Sequence, residues 1–589
     1  MSVLALTRRI AWGAAAALFG VLVCSLGGLD HLPVAVVGFF VSLAIVATWR
    51  PDVGLALTAI LVPVASWFGR TWDGALAWPE AVTVAFLLGY TIRQAFQSER
   101  EPADNLTVAI PVAIAVVAAS AGVHWLVLFE TTGGEAFRAM LRDLAGGAYF
   151  AGNSGDGSLD AAMRLVEGLL LAHAGASVVG RNAAVARQLI ASFVIGAAAA
   201  GALNVWRLWL CALRLDAPVA TFLNYLVTLR YNAHYGDVNA AGSYFVMALL
   251  PALAFARTVS LWRWIAPVAL ILIALSLSGS RAALLGGVLG AGIVWLVDRS
   301  LQHRTRQPSR RRTAALIGVI TVLIVGTITF ALIQREVVSA STALRIRMEF
   351  ARVSVDMLRS RPLFGVGVGE FPERLPDFST PTLKQLYPVE HENAHNNFLQ
   401  LLAELGLVGI AAILATLGIA ASRMAALFRS PGATLIERAS CAGLLAFVLT
   451  WISGHPLLVD PPALTFWTLL GVVAGTGAAH TPAATAPSSS HESAGRLRYQ
   501  WASAGVVLAV LASVAPRAQH ELRSGHFEHL GIGVSATWRH DDQISYRTAG
   551  RTFELFLQSG LAVFLPIRVT VDAPRVQLEI HLQNRLVDR

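Results

Sequence analysis

Runs of about 20 mostly apolar residues recur along almost the whole chain, and that is the length a helix needs to cross a hydrocarbon core of ~30 Å. They begin near residues 10, 32, 53, 79, 106, 161, 188, 237, 262, 282, 313, 397, 437, 461 and 500. Backbone amides inside a bilayer have no water to bond to, so each such run must close its hydrogen bonds internally as a helix. The expectation is an all-α polytopic membrane protein with about 12–15 transmembrane helices. Composition agrees, since 14% of residues are charged against roughly 25% in soluble domains.

The net charge of +9 would suggest nucleic acid in a soluble protein. Here the arginines sit in short gaps between apolar runs, where the positive-inside bias explains them, and no nucleic-acid partner is expected. Arg8 and Arg9 precede the first run, which reads as a first span rather than a cleaved leader. One parity places Arg8, Arg9, Arg50, Arg93, Arg100, Arg181, Arg187, Arg299, Arg304, Arg306, Arg310, Arg311, Arg312, Arg423, Arg429, Arg496 and Arg498 on the inner side. The stretches 129–160, 214–236, 334–396, 455–460 and 517–589 then face outward. The division is a polytopic domain over 1–480, with its long outer loop at 334–396. An inner linker follows over 481–499, beginning in Ala, Pro, Ser and Thr, then a final span over 500–516 and a small β-rich outer segment over 517–589. The β reading rests on alternation at Ile567, Val569 and Val571, and again at Val576, Leu578, Ile580 and Leu582.

Several polar groups interrupt this pattern. His391-Glu-Asn-Ala-His395 matches H-E-x-x-H, which on a helix would hold zinc with Glu392 as base. It fixes three positions only, and no third ligand is evident. Cys24, Cys211 and Cys441 lie apart in apolar runs, without the spacing of a zinc site or a disulfide framework. Arg230 and Arg281 lie at outer boundaries of apolar runs. Snorkelling to the interface would account for both, and so would binding a pyrophosphate, whose oxygens match the guanidinium fork. His395 can move a proton near neutral pH. Asn396 and Asn397 follow it and read either as site residues or as a helix cap. His455 lies in Ser453-Gly-His-Pro-Leu-Leu-Val-Asp-Pro-Pro462, as a site residue or a turn histidine. Glu167 and His173 share one apolar run, where helix–helix hydrogen bonding is the plainer role. Phosphate loops and G-x-S-x-G elbows are missing from the sequence.

Four stretches, in order, carry a resemblance. They are Gly-Asp-Val-Asn-Ala-Ala-Gly-Ser-Tyr at 236–244, Ser-Gly-Ser-Arg-Ala-Ala-Leu-Leu-Gly at 278–286, Phe-Gly-Val-Gly-Val-Gly-Glu-Phe at 364–371, and Ala-His-Asn-Asn-Phe-Leu through Glu-Leu-Gly-Leu-Val-Gly at 394–409. The set resembles the O-antigen ligase and polymerase superfamily of bacterial inner-membrane glycosyltransferases, over about residues 10–480. The resemblance implies metal-independent transfer of a glycan from undecaprenyl pyrophosphate to an acceptor hydroxyl in the periplasm, without a cofactor. The acceptor would be a glycan, a lipid A core or a protein, with membrane lipids around the chain. By motif, His395 would activate the acceptor and Arg281 would bind the pyrophosphate. Arg230, Asn396 and His455 join as substrate-binding residues. The outer stretches at 334–396 and 517–589 would be periplasmic. His391 falls outside the family's pattern, so the zinc reading becomes incidental. Two alternatives stay open: a transporter of the same superfamily, resembling inorganic-carbon transport proteins, and a membrane metalloprotease.

Overall fold

The computed structural model describes residues 3–302, 340–480 and short stretches between 508 and 588, with small gaps at 28, 30–31, 72–75, 98–104, much of 133–147, 152–156, 234, 236 and 388–391. Its first half holds α1 (Val3–Leu26), α2 (Val34–Trp49), α3 (Pro51–Thr71), α4 (Trp78–Phe96), α5 (Asn105–Thr132), α6 (Gly157–Arg181), α7 (Ala186–Ala212), α8 (Pro218–Thr228) and α9 (Val238–Thr258). There follow α10 (Leu261–Ser278), α11 (Arg281–Gln302), α12 (Ala340–Ser360), α13 (Phe371–Phe378), α14 (Pro381–Leu386), α15 (Asn397–Arg429), α16 (Leu435–Thr450) and α17 (Asp460–Ala479). Each apolar run read from the sequence coincides with one of these helices, except those near 313 and 500, which lie outside the described residues.

Seven described segments are long and apolar enough to cross a membrane: Thr7–Leu26, Pro51–Phe68, Ser158–Arg181, Ala183–Ala212, Val238–Thr258, Leu261–Ser278 and Asn397–Arg429. That is fewer than the sequence suggested. Length accounts for part of the difference: α2 and α16 have 16 residues each, about 24 Å of helix against a core of ~30 Å. The Val108–Val123 and Arg281–Val297 stretches are apolar but likewise short.

The bundle is organised around α9. Its apolar window is 83% buried, against 28% in the windows of α1 and α10, so α9 is the central helix and the other two face outward. A helix apolar on every side is stable only when neighbours surround it, and α10, α11, α16 and α7 do so. Elsewhere small residues let backbones meet, as is usual where lipid removes the hydrophobic drive for association. A Cβ on Gly471 of α17 would lie 2.1 Å from the Ala172 carbonyl of α6.

The stretch expected as a long outer loop, 334–396, is helical over α12, α13 and α14. These helices build a separate small core from Phe350, Val353, Met357, Val366, Phe371, Leu375 and Leu383, closed by Ala394 and Ala403. The cap is thus seated on the first turns of α15. Near the C-terminus, three short antiparallel pairs are described. Gly531–Val534 pairs with Ala549–Leu555, Arg539–Asp541 with Ile544–Tyr546, and Ile580–Leu582 with Arg585–Asp588. The alternating residues at 567–571, and whatever joins these pairs into a unit, lie outside the described residues, as do the linker and most of the final span.

Candidate active site

The first two sequence stretches pack directly on each other. Asp237 is the N-cap of α9, and its carboxylate accepts from the Asn239 N–H at 2.6 Å. One turn into α9, a Cβ on Gly242 would meet the Ser280 Cβ at 2.5 Å and the Ser278 Oγ at 2.6 Å. Only glycine lets the turn between α10 and α11 sit there. That turn passes through Gly279 at φ 60 and leads into Arg281, the first residue of α11. Arg230 bridges the two stretches. Its Nη2 donates to Asn239 Oδ1 at 2.8 Å and its Nε to the Ser278 carbonyl at 3.3 Å. It lies within electrostatic range of Asp237 and Arg281. Both arginine side chains are exposed.

The third and fourth stretches interlock in the same way. α15 breaks at Gly406, which takes φ 66 and ψ −167 inside the helix. The break frees backbone groups that the glycine loop satisfies. Val366 and Gly367 donate to the Ala403 and Glu404 carbonyls at 2.9 and 3.0 Å, and Leu407 and Val408 donate to those of Pro362 and Leu363 at 2.9 and 3.1 Å. Gly365, at φ 71, would place a Cβ 2.4 Å from the Glu404 carbonyl. Gly365→Ala is therefore expected to combine a left-handed strain with a backbone clash and to cost about 3 kcal/mol. A thermal midpoint of the purified protein equal to that of the parent chain would contradict this account of the loop.

His395 stands where these parts meet. It is the non-glycine residue with positive φ among the described residues, at 49, and such conformations concentrate at functional sites. Its position is fixed by its neighbours. The Asn397 N–H donates to the Trp451 and Gly454 carbonyls at 3.1 and 3.2 Å. Asn396 caps α15 by accepting from the Leu399 N–H at 3.1 Å, while its amide donates to the Ile452 carbonyl at 3.0 Å. Asn396 was expected at the substrate. Its two polar ends are engaged by the protein, so the bonds described give it a positioning part. The rings of Phe350 and Tyr387 close on His395 at 5.2 and 5.9 Å.

Two histidine–carboxylate pairs lie side by side. His395 Nε2 faces Glu392 Oε2 at 3.5 Å, and His455 Nε2 faces Asp237 Oδ2 at 3.4 Å. The two imidazoles are 5.1 Å apart, centre to centre. Burial pushes the pKa of each histidine below its ordinary value. Glu392 and Asp237 oppose this at His395, and Arg347 adds to it; Asp237 opposes it at His455, and His395 adds to it. Both rings are therefore neutral, and able to accept a proton, at neutral pH. His391 lies outside the described residues.

The fold thus brings Arg230, Asp237, His395 and His455 together from segments more than 200 residues apart, with Arg281 beside Arg230. Sequence reasoning did not single out Asp237, because a helix cap explains an aspartate at that position. It also took Glu392 only as part of the zinc motif. A second polar group escaped it as well. Glu80, Asp160, Arg164 and Asp460 gather from the starts of α4, α6 and α17, where Arg164 pairs with Asp460 and Tyr149 donates to Glu80. Each carboxylate alone reads as an ordinary first-turn acid. Glu167 is fully buried one turn further in, without a hydrogen-bond partner among the described residues. His173 accepts or donates a bond with Tyr90 Oη at 2.8 Å and packs on Trp12.

Residues 266–414 match the family model described as O-antigen ligase. The matched region holds three of the four stretches, with Arg281 and His395, and excludes Arg230, Asp237 and His455. It covers about a quarter of the chain. The match supports the O-antigen ligase and polymerase superfamily and, in general terms, membrane glycosyl transfer from a lipid-linked glycan to an acceptor. A search of curated proteins finds no match.

Proposed function

We propose, from the premise of an O-antigen ligase-type membrane protein, that this chain transfers a glycan from undecaprenyl pyrophosphate to an acceptor hydroxyl on the periplasmic face of the bacterial inner membrane. The observation that carries the reading is the convergence of two exposed arginines and a neutral, half-buried histidine at one end of the bundle. The reaction needs those two things. A pyrophosphate leaving group gathers negative charge as the glycosidic bond breaks, and fixed guanidinium groups stabilise that charge without reorganising. The attacking hydroxyl must lose its proton, and His395 takes it. His455 stands beside His395 as a further contact for the substrate. The donor is already activated, so the reaction calls for no nucleotide and no cofactor, and the proposal includes no metal.

The direct test is transfer by the purified full-length protein, with undecaprenyl-pyrophosphate-linked glycan and a hydroxyl acceptor, read as loss of lipid-linked donor. Hydrolysis or transport of the donor in place of transfer would sink the reading. Orientation gives an independent check. Reporter fusions at 305 and 425 should report cytoplasm, and fusions at 380 and 550 should report periplasm. A cytoplasmic signal at 380 would place His395 and the arginines on the wrong side of the membrane for this donor.

A further inference from the structure

Asp237 has two oxygens with two different occupations. Oδ1 caps α9, and Oδ2 faces His455 Nε2 at 3.4 Å. A cap alone would not require the second contact. The contact orders His455: with its Nε2–H directed at a carboxylate, the neutral ring must carry its lone pair on Nδ1. That Nδ1 is buried and has no hydrogen-bond partner among the described residues. Next to this ring lies His395, 5.1 Å away, with Glu392 on its own Nε2. Carboxylate, imidazole, imidazole and carboxylate therefore stand in sequence, drawn from residues 237, 455, 395 and 392.

Resting on the glycan-transfer reading above, we propose that Asp237 is a positioning residue: through His455 it holds a second imidazole against His395 and sets its own carboxylate beside the imidazolium that forms there. The balance is simple. The acceptor O–H bond breaks as oxygen bonds the sugar's anomeric carbon, and the bond from that carbon to the pyrophosphate oxygen breaks with its electron pair remaining on the phosphate. The proton passes to His395 and leaves from there to water at the outer face. The resulting cation is flanked by Glu392 and Asp237. Among the described residues, the other charged or titratable groups facing the pair are Arg347 and Tyr387, towards His395, and Arg230, towards Asp237. Arg347 disfavours an imidazolium at His395, and Glu392 and Asp237 oppose it.

Asp237→Asn tests this without removing the cap, because asparagine caps a helix about as well as aspartate. In the full-length protein, kcat should fall about tenfold, with the donor KM little changed. The acid limb of the kcat profile should also move. Asp237 favours the charged imidazoles, so its loss lowers their pKa, the base stays deprotonated further into acid, and the limb shifts down by about one pH unit. Asp237→Ser, which also caps, should behave alike. An unshifted profile with unchanged kcat in both variants would leave Asp237 as a cap and overturn the proposal. So would a rise in donor KM alone, which would place Asp237 with Arg230 at the pyrophosphate. If the parent chain transfers no glycan, the underlying reading fails first, and that outcome is distinct from both.

Discussion

His395→Ala is expected to lower glycan transfer by about 10²–10⁴-fold, the usual contribution of a general base, with the chain still folded. Folding should survive because His395 is not what ties its loop down; the Asn396 and Asn397 bonds to Trp451, Ile452 and Gly454 do that. Alanine has a larger left-handed penalty than histidine at φ 49, so a His395→Asn variant serves as the conformational control. The residual rate should be insensitive to chelators. His391→Ala should transfer normally, since the histidine four residues away only happens to complete a motif. Glu392→Gln should lie between the two, because the carboxylate faces the His395 ring at 3.5 Å and helps it accept a proton. Equal and severe loss in all three, together with abolition by chelators, would replace this mechanism with a zinc site. The parent profile has a predictable sign: burial lowers the His395 pKa, so activity should persist below the ordinary histidine value of ~6.5 and decline only as the ring finally takes its proton.

Arg281→Lys should lose about tenfold to a hundredfold in rate, equivalent to one charge-assisted contact of roughly 1.5–3 kcal/mol. Charge is conserved in this change, but the planar fork is not, and a pyrophosphate held bidentately distinguishes them. The position sharpens the expectation. Arg281 opens α11 two residues after Gly279, so its backbone is set by a left-handed turn packed on Gly242 and cannot slide to let a shorter reach compensate. Undiminished transfer by normally expressed Arg281→Lys would mean that the arginine merely snorkels to the interface.

The membrane class was legible because apolar length is a property of single segments. Arg281 and His395 were legible because they sit inside recognisable stretches. Asp237 was not, since its partner His455 is more than 200 residues away and a cap gives an aspartate there a sufficient local reason. The group of Glu80, Asp160, Arg164 and Asp460 was hidden likewise, each carboxylate being an ordinary first-turn acid of its helix. The helical cap within 334–396 was hidden by its amphipathic composition. Its signal was available: Ile346, Phe350, Val353 and Met357 recur at helical spacing and line the small core. Reading polar outer loops for that period, and not only apolar runs for length, would have found it.

The break at Gly406 divides the labour of α15. Residues 407–429 rise about 34 Å at 1.5 Å per residue, enough alone to traverse a hydrocarbon core of ~30 Å. Residues 397–405 are therefore surplus to the crossing: a mast about 13 Å tall, stayed by the glycine loop at its foot and carrying His395 at its top. Shortening the mast by one turn would draw the histidine about 5 Å away from His455 and from the Trp451, Ile452 and Gly454 carbonyls that hold its loop. The height of His395 above the break in α15 is thus written in the number of residues between one histidine and one glycine.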